Sequence, residues 1–102
     1  MAVALSIEQS QEYVGNNRWR WSVWLNGSQE ELDEVEHVVY VLHSTFNNPV
    51  RIVHDRTTNF RLDTYGWGTF TIHAKVMCRD EREIPLDHDL VLLYPDGTPT
   101  AA

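Results

Sequence analysis

In three separate stretches of this chain the apolar residues return at every second position, and a fourth repeats the pattern with one break. Val3, Leu5 and Ile7 alternate with Ala4, Ser6 and Glu8, and Trp19, Trp21, Val23 and Leu25 alternate with Arg18, Arg20, Ser22 and Trp24. Phe70, Ile72, Ala74, Val76 and Cys78 alternate with Thr71, His73, Lys75 and Met77, and Ile84, Leu86, Leu90 and Leu92 mark a last apolar series. A period of two sends one set of side chains to one face of a pleated strand, so the chain is restricted to sheets with a one-sided core. Gln29 to Glu36 is the only stretch with helical character, because Ser28 precedes Glu30, Glu31, Asp33 and Glu34 in a cap-then-acidic order. It is short and charged on every side, and reads as an acidic loop with room for one helical turn.

Expected strands run from about Val3 to Tyr13, Trp19 to Leu25 and Val35 to His43, followed by short ones at Arg51 to His54 and Phe60 to Leu62. A long strand from Phe70 to Cys78 and a last one through Ile84 to Leu92 complete the set, with Pro85 marking an edge or a bulge. Gly15-Asn16-Asn17, Asn26-Gly27-Ser28 and Asn47-Asn48-Pro49 supply the turns between them. About seven or eight short strands without a long helix or an internal repeat indicate an all-β fold, a two-sheet antiparallel sandwich of immunoglobulin-like type. A small barrel is the rival, and the Cys…Trp…Cys signature of antibody domains is absent. Residues 1–94 are expected to form this one domain and residues 95–102 a flexible tail or linker.

The chain has 102 residues, enough for one core without disulfides or metal and too few for two. The single Cys78 has no internal partner, no apolar run approaches the roughly 18 residues of a membrane span, and the start does not read as a secretory signal. A soluble intracellular setting is therefore expected, without a membrane. Fifteen acidic against eight basic residues give a net charge of −7. That disfavours nucleic acid, whose binding is dominated by phosphate neutralisation, and favours a basic peptide partner.

Five histidines raise the question of metal or hydrolytic chemistry. His37 and His43 lie six positions apart on one expected strand, roughly 20 Å at about 3.3 Å per residue, and cannot share an ion. His54-Asp55 and His88-Asp89 are adjacent pairs that point to opposite faces of a strand, and no HExxH, CxxC or GxSxG motif occurs. Cys78 has core-facing parity and reads as an inert buried thiol. No catalytic residue, cofactor or metal is expected.

What survives is a pair of loops. Phe46 follows the β-rich run Val38 to Leu42 and precedes Asn47-Asn48-Pro49, which places it at a sheet rim. Trp67 stands between Gly66 and Gly68, which can take positive φ and let another group approach closely. His43 and Thr45 complete the constellation. Two aromatic faces with a hydroxyl between them suit a flat, neutral, amide-bearing group, whereas a cationic guest would draw a carboxylate into the cage. No carboxylate lies in either segment.

The order of four motifs then matters: Trp-x-Val-x-Leu-x-Gly at Trp21 to Gly27, Val-Val-Tyr-x-Leu-His-x-Thr-Phe-x-x-Pro-x-Arg at Val38 to Arg51, Gly-Trp-Gly-x-Phe at Gly66 to Phe70, and Leu-Asp-His-Asp-Leu at Leu86 to Leu90. Together they resemble a YEATS domain from about Trp19 to Leu93. The resemblance implies an immunoglobulin-like sandwich that reads acylated lysines, chiefly acetyl- and crotonyl-lysine, without catalysis. It implies that His43 orients the pocket and contacts Thr45, and that the Thr45 hydroxyl bonds the acyl amide. Phe46 and Trp67 would sandwich the acyl chain, the Trp67 backbone N–H would bond the amide carbonyl, and Gly66 and Gly68 would keep the pocket end-open. Asp89 matches an acidic position that in some members contacts a basic residue beside the modified lysine. The usual aromatic or basic wall residue before Trp21 falls at Asn17. The compact acidic chain is most similar to prokaryotic YEATS-like domains, which implies a cytoplasmic setting there and a nuclear one in a eukaryote. The implied partner is an acylated-lysine peptide or protein, and the alternative is an adaptor module in a signalling or defence-associated system with a different ligand.

Overall fold

A computed structural model describes residues 5–100. Seven strands are arranged in two antiparallel sheets: β1 (Ser6–Gly15), β2 (Arg18–Asn26) and β5 (Leu62–Gly66) in the order β1-β2-β5, and β3 (Val35–Val41), β4 (Val50–Val53), β6 (Thr71–Cys78) and β7 (Glu83–Asp89) in the order β4-β3-β6-β7. This is the expected two-sheet sandwich. A five-residue helix α1 (Gln29–Asp33) leads into β3. No helix among the described residues is long and apolar enough to cross a membrane.

The alternation becomes burial directly. Trp19, Trp21, Val23 and Leu25 on β2 are buried against Val38 and Tyr40 of β3 and Ile72, Ala74 and Val76 of β6 in one core. The hairpin between β1 and β2 turns at Asn16 and Asn17, both at positive φ (55° and 56°), the geometry a two-residue turn of right-handed twist requires. Pro85 sits on β7, an edge strand, where its missing N–H costs no ladder bond between two neighbours.

Several boundaries differ from the sequence reading, each for a local reason. The segment expected as an acidic loop is a capped turn of helix: the Ser28 hydroxyl accepts from the Glu31 N–H at 3.1 Å, and the Glu31 carboxylate accepts from the Ser28 N–H at 3.1 Å. Leu32 is buried beneath it. The strand expected to reach His43 ends at Val41, because the Leu42 N–H turns to bond Pro49 O at 2.7 Å. Phe60 is not in a strand. It is fully buried at φ 60°, with its carbonyl held by the Tyr40 hydroxyl at 2.7 Å, and β5 starts only at Leu62. The last strand stops at Asp89, although Leu90 and Leu92 remain buried. Val3 and Ala4, the expected start of the first strand, lie outside the described residues.

Within 94–100, a stretch that the sequence reads as turn and linker material, the chain makes a tight turn at Tyr94 to Thr98. The Tyr94 N–H bonds Thr98 O at 2.8 Å, the Thr100 N–H bonds Leu92 O at 3.0 Å, and the Tyr94 ring lies 5.3 Å from Tyr13 and 5.0 Å from Trp19. Beside it, side chains of β1 and β2 satisfy the backbone that follows β7. Gln9 Oε1 accepts from Val91 N at 3.0 Å and from the His88 Nε2–H at 2.7 Å, Gln11 Oε1 accepts from Leu93 N at 3.1 Å, and the Trp19 indole donates to Leu93 O at 2.8 Å. The two sheets are thereby laced together along one edge.

Candidate ligand-binding site

At one end of the sandwich two loops face a groove of about 660 Å³. The first joins β3 to β4 and contributes His43, Thr45, Phe46 and Asn47; the second joins β5 to β6 and contributes Trp67, Gly68 and Thr69. Tyr65, Gly66, Phe70 and Arg18 complete the lining.

The first loop is fixed by its own backbone. Its Phe46 N–H donates to His43 O at 3.0 Å, and Asn48 takes φ 52°, a left-handed conformation that asparagine tolerates. Arg51 reaches back from β4, its Nε donating to Asn48 O at 2.5 Å and its other nitrogen to Asn47 O at 2.8 Å, so two loop carbonyls share one guanidinium.

Within this frame the Thr45 N–H donates to His43 Nδ1 at 3.2 Å, and Thr45 Oγ1 lies 2.9 Å from the same nitrogen. A nitrogen that accepts from a backbone N–H carries no proton, so the hydroxyl also donates to it and the imidazole proton resides on Nε2. The hydroxyl's lone pairs then remain available to an incoming donor.

Phe46 leans inward, with ring centroids 6.2 Å from Trp21 and 5.4 Å from Phe70. Gly66 lies between: a Cβ there would stand 3.2 Å from Trp21 Nε1 and 3.4 Å from Phe46 Cζ. Close approach, and not positive φ, is the reason for this glycine; among the described residues the glycines at positive φ are Gly15 and Gly97. Trp21 Nε1 is buried there without a hydrogen-bond partner. Trp67 is by contrast 62% exposed, and Tyr65 60%. The groove thus has one anchored aromatic wall and one that stands free.

Of the residues singled out from sequence, His43, Thr45, Phe46, Gly66, Trp67 and Gly68 are brought together here. Asp89 is not among the lining residues; its carboxylate accepts from the Thr71 hydroxyl at 2.7 Å on β7. Arg18, Asn47, Tyr65, Thr69 and Phe70 were missed. Arg18 lines the groove where Asn17 had been aligned with the wall position, because β2 pairs Trp19 with Gly66 and brings the strand's first residue to the rim. Among the described residues no carboxylate lines the groove, and Arg18 is its one formally charged residue. Cys78 is buried at the far end of β6, where burial pushes its thiol up and away from the thiolate form.

Comparison with known proteins agrees with this architecture. Protein AF-9 homolog of Eremothecium gossypii is 40% identical over 63 residues, covering 60% of this chain and 29% of that protein. Transcription initiation factor TFIID subunit 14b of Arabidopsis thaliana is 33% identical over 85 residues, 76% of this chain and 30% of that one. The chain thus spans about 30% of the length of these curated relatives. The Yaf9 YEATS domain bound to H3K27ac superposes with a TM-score of 0.71 at 23% identity, over 98% of this chain and 82% of that one, a likeness of fold. The Yaf9 YEATS domain recognizing an H3K122suc peptide gives 0.64 at 27% identity, over 94% and 72%. A sequence model described as the prokaryotic YEATS domain matches residues 19–91, a span that includes six of the seven strands and both groove loops, and the chain belongs to that family.

Proposed function

We propose that the domain is a non-catalytic reader of acyl-lysine, holding the flat acyl-amide between Phe46 and Trp67. The observation that carries this reading is the His43–Thr45 pair at the groove. It leaves a hydroxyl oriented as an acceptor beside two aromatic side chains, with no carboxylate nearby to suit an unmodified, cationic lysine. The amide N–H donates to Thr45 Oγ1, the backbone N–H of Trp67 meets the amide carbonyl, and the acyl chain stacks on the rings. Each aromatic contact contributes roughly 0.5–1.5 kcal/mol beyond area burial. With so few contacts the affinity falls in the micromolar range or weaker, on the order of 8 kcal/mol or less. Crotonyl, flat and longer than acetyl, exploits the stacking best. Asp89 acts outside the groove, toward basic residues flanking the modified lysine on a partner protein that the acidic domain attracts. The Yaf9 YEATS domain, 27% identical to this chain in its complex with an H3K122suc peptide, recognises an acylated histone H3 peptide, which supports the ligand class.

Titration of crotonyl-, acetyl-, succinyl- and unmodified-lysine peptides, followed by two-dimensional NMR with Trp67→Ala as control, tests this. Acyl-dependent shifts at Thr45, Phe46 and Trp67 that vanish in the variant are expected. Equal binding of the unmodified peptide would instead favour an adaptor that uses the same rim for an unmodified partner. The exposure of Tyr65 and Trp67 is the observation that keeps that second reading in play.

A further inference from the structure

At the opposite end of β3 from the groove, Glu36, His37 and His54 converge, with one ligating atom from each lying within 4.8 Å of the others. Two features of the sheet make this cluster. Antiparallel pairing sets Val38 opposite Val53, so the next pair outward is His37 and His54, and their ring centroids are 5.1 Å apart. Glu36 and His37 are neighbours in sequence and would face opposite ways on a regular strand. Here the pairing of β3 with β6 shifts between Val35 and His37, and Glu36 is the extra residue of the bulge. A bulge re-aims a side chain. One carboxylate oxygen of Glu36 contacts His37 Nδ1, and the other lies 3.7 Å from His54 Nδ1.

We propose that Glu36, His37 and His54 form a site for a divalent transition-metal ion of the zinc type. Two imidazole nitrogens and one carboxylate suit Zn²⁺ and its neighbours, whereas Ca²⁺ and Mg²⁺ favour all-oxygen sets. A tetrahedral ion about 2.0–2.2 Å from each donor separates the donors by roughly 3.3 Å. The observed spacings reach this by small rotations of side chains that are 65% (His54), 45% (Glu36) and 26% (His37) exposed, and water takes the fourth position. The ion would pin β4 to the bulged start of β3, and the excess negative charge of the domain favours its approach. His73 and Asp87, 2.7 Å apart, offer an imidazole–carboxylate pair without a third ligand among the described residues and serve as an internal comparison. This proposal stands independently of the acyl-lysine reading.

The test is calorimetric titration of metal-stripped, tag-free protein with Zn²⁺, alongside histidine ring resonances in NMR. One equivalent should bind saturably, shift the rings of His37 and His54, and raise the melting temperature. His54→Ala and His37→Ala should each weaken binding by more than the roughly 10- to 100-fold that loss of a merely supporting residue costs. Glu36→Gln should weaken it too, and His73→Ala should leave it unchanged. Binding that is absent, that survives both histidine variants, or that follows His73 would overturn the proposal. His54→Ala, at an exposed side chain, keeps the test decisive should His37→Ala fail to fold.

Discussion

Thr45 and Gly66 work by opposite means. Thr45 offers an atom, and its exposure means that the fold does not depend on it. Thr45→Val should therefore leave the melting temperature unchanged while acyl-peptide affinity falls by roughly two- to tenfold, the range for one net hydrogen bond, as calorimetry would show. Gly66 offers the lack of an atom. In Gly66→Ala the new Cβ stands 3.2 Å from Trp21 Nε1, which must yield by a few tenths of an ångström, and 3.4 Å from Phe46 Cζ, the near limit of ordinary contact. Overpacking of this kind should cost about 1 kcal/mol of stability in denaturant titration and displace the Phe46 wall, weakening acyl-peptide binding as well. Arg18 carries a third expectation: with the only formal charge in the lining, it should favour succinyl over acetyl peptides in wild type relative to Arg18→Ala. Competition titration would reveal that change of ratio.

At the scale of elements, what holds a loop matters more than what it displays. Arg51 binds the carbonyls of Asn47 and Asn48 and is not itself among the residues that line the groove. Arg51→Ala should leave the sandwich folded and broaden the amide resonances of residues 43–48, with weaker acyl-peptide binding as the functional echo. The strands themselves were legible in sequence because each buries one face, and a period of two cannot be mistaken for a helix in β2 or β6. What escaped were features decided by contacts across the sheet. Phe60 looks like a strand residue by composition, but the Tyr40 hydroxyl fixes its carbonyl in a left-handed turn. Arg18 enters the groove, and His37 meets His54, through strand registers that no single segment encodes. The groove's loop residues were readable for the converse reason. His43, Thr45 and Phe46 are bound to one another within four positions, so their geometry is local.

The whole molecule depends on the seam where β1 meets the segment after β7. His88 donates to Gln9 Oε1 there, and burial lowers its pKa, with Asp89 and Glu8 only partly opposing the shift. In the unfolded chain His88 titrates near 6.5, so as pH falls through about 6.5 the unfolded state takes up a proton that the folded state still refuses. Stability should decline over this interval and level off below the folded pKa. Denaturant unfolding from pH 7.5 to 5 would show the slope, and His88→Gln, which cannot titrate, should flatten its own share of it. The groove at the sandwich's end is also a property of the whole. Its first loop belongs to the four-stranded sheet, while Arg18, Tyr65 and Gly66 belong to the three-stranded one. The gap a guest enters is therefore a gauge of how far apart the layers stand. If the groove reads acyl-lysine as proposed, repacking buried side chains such as Val38 and Ile72, which lie outside the groove lining, would reset its width and so its choice of guest while leaving both loops unaltered.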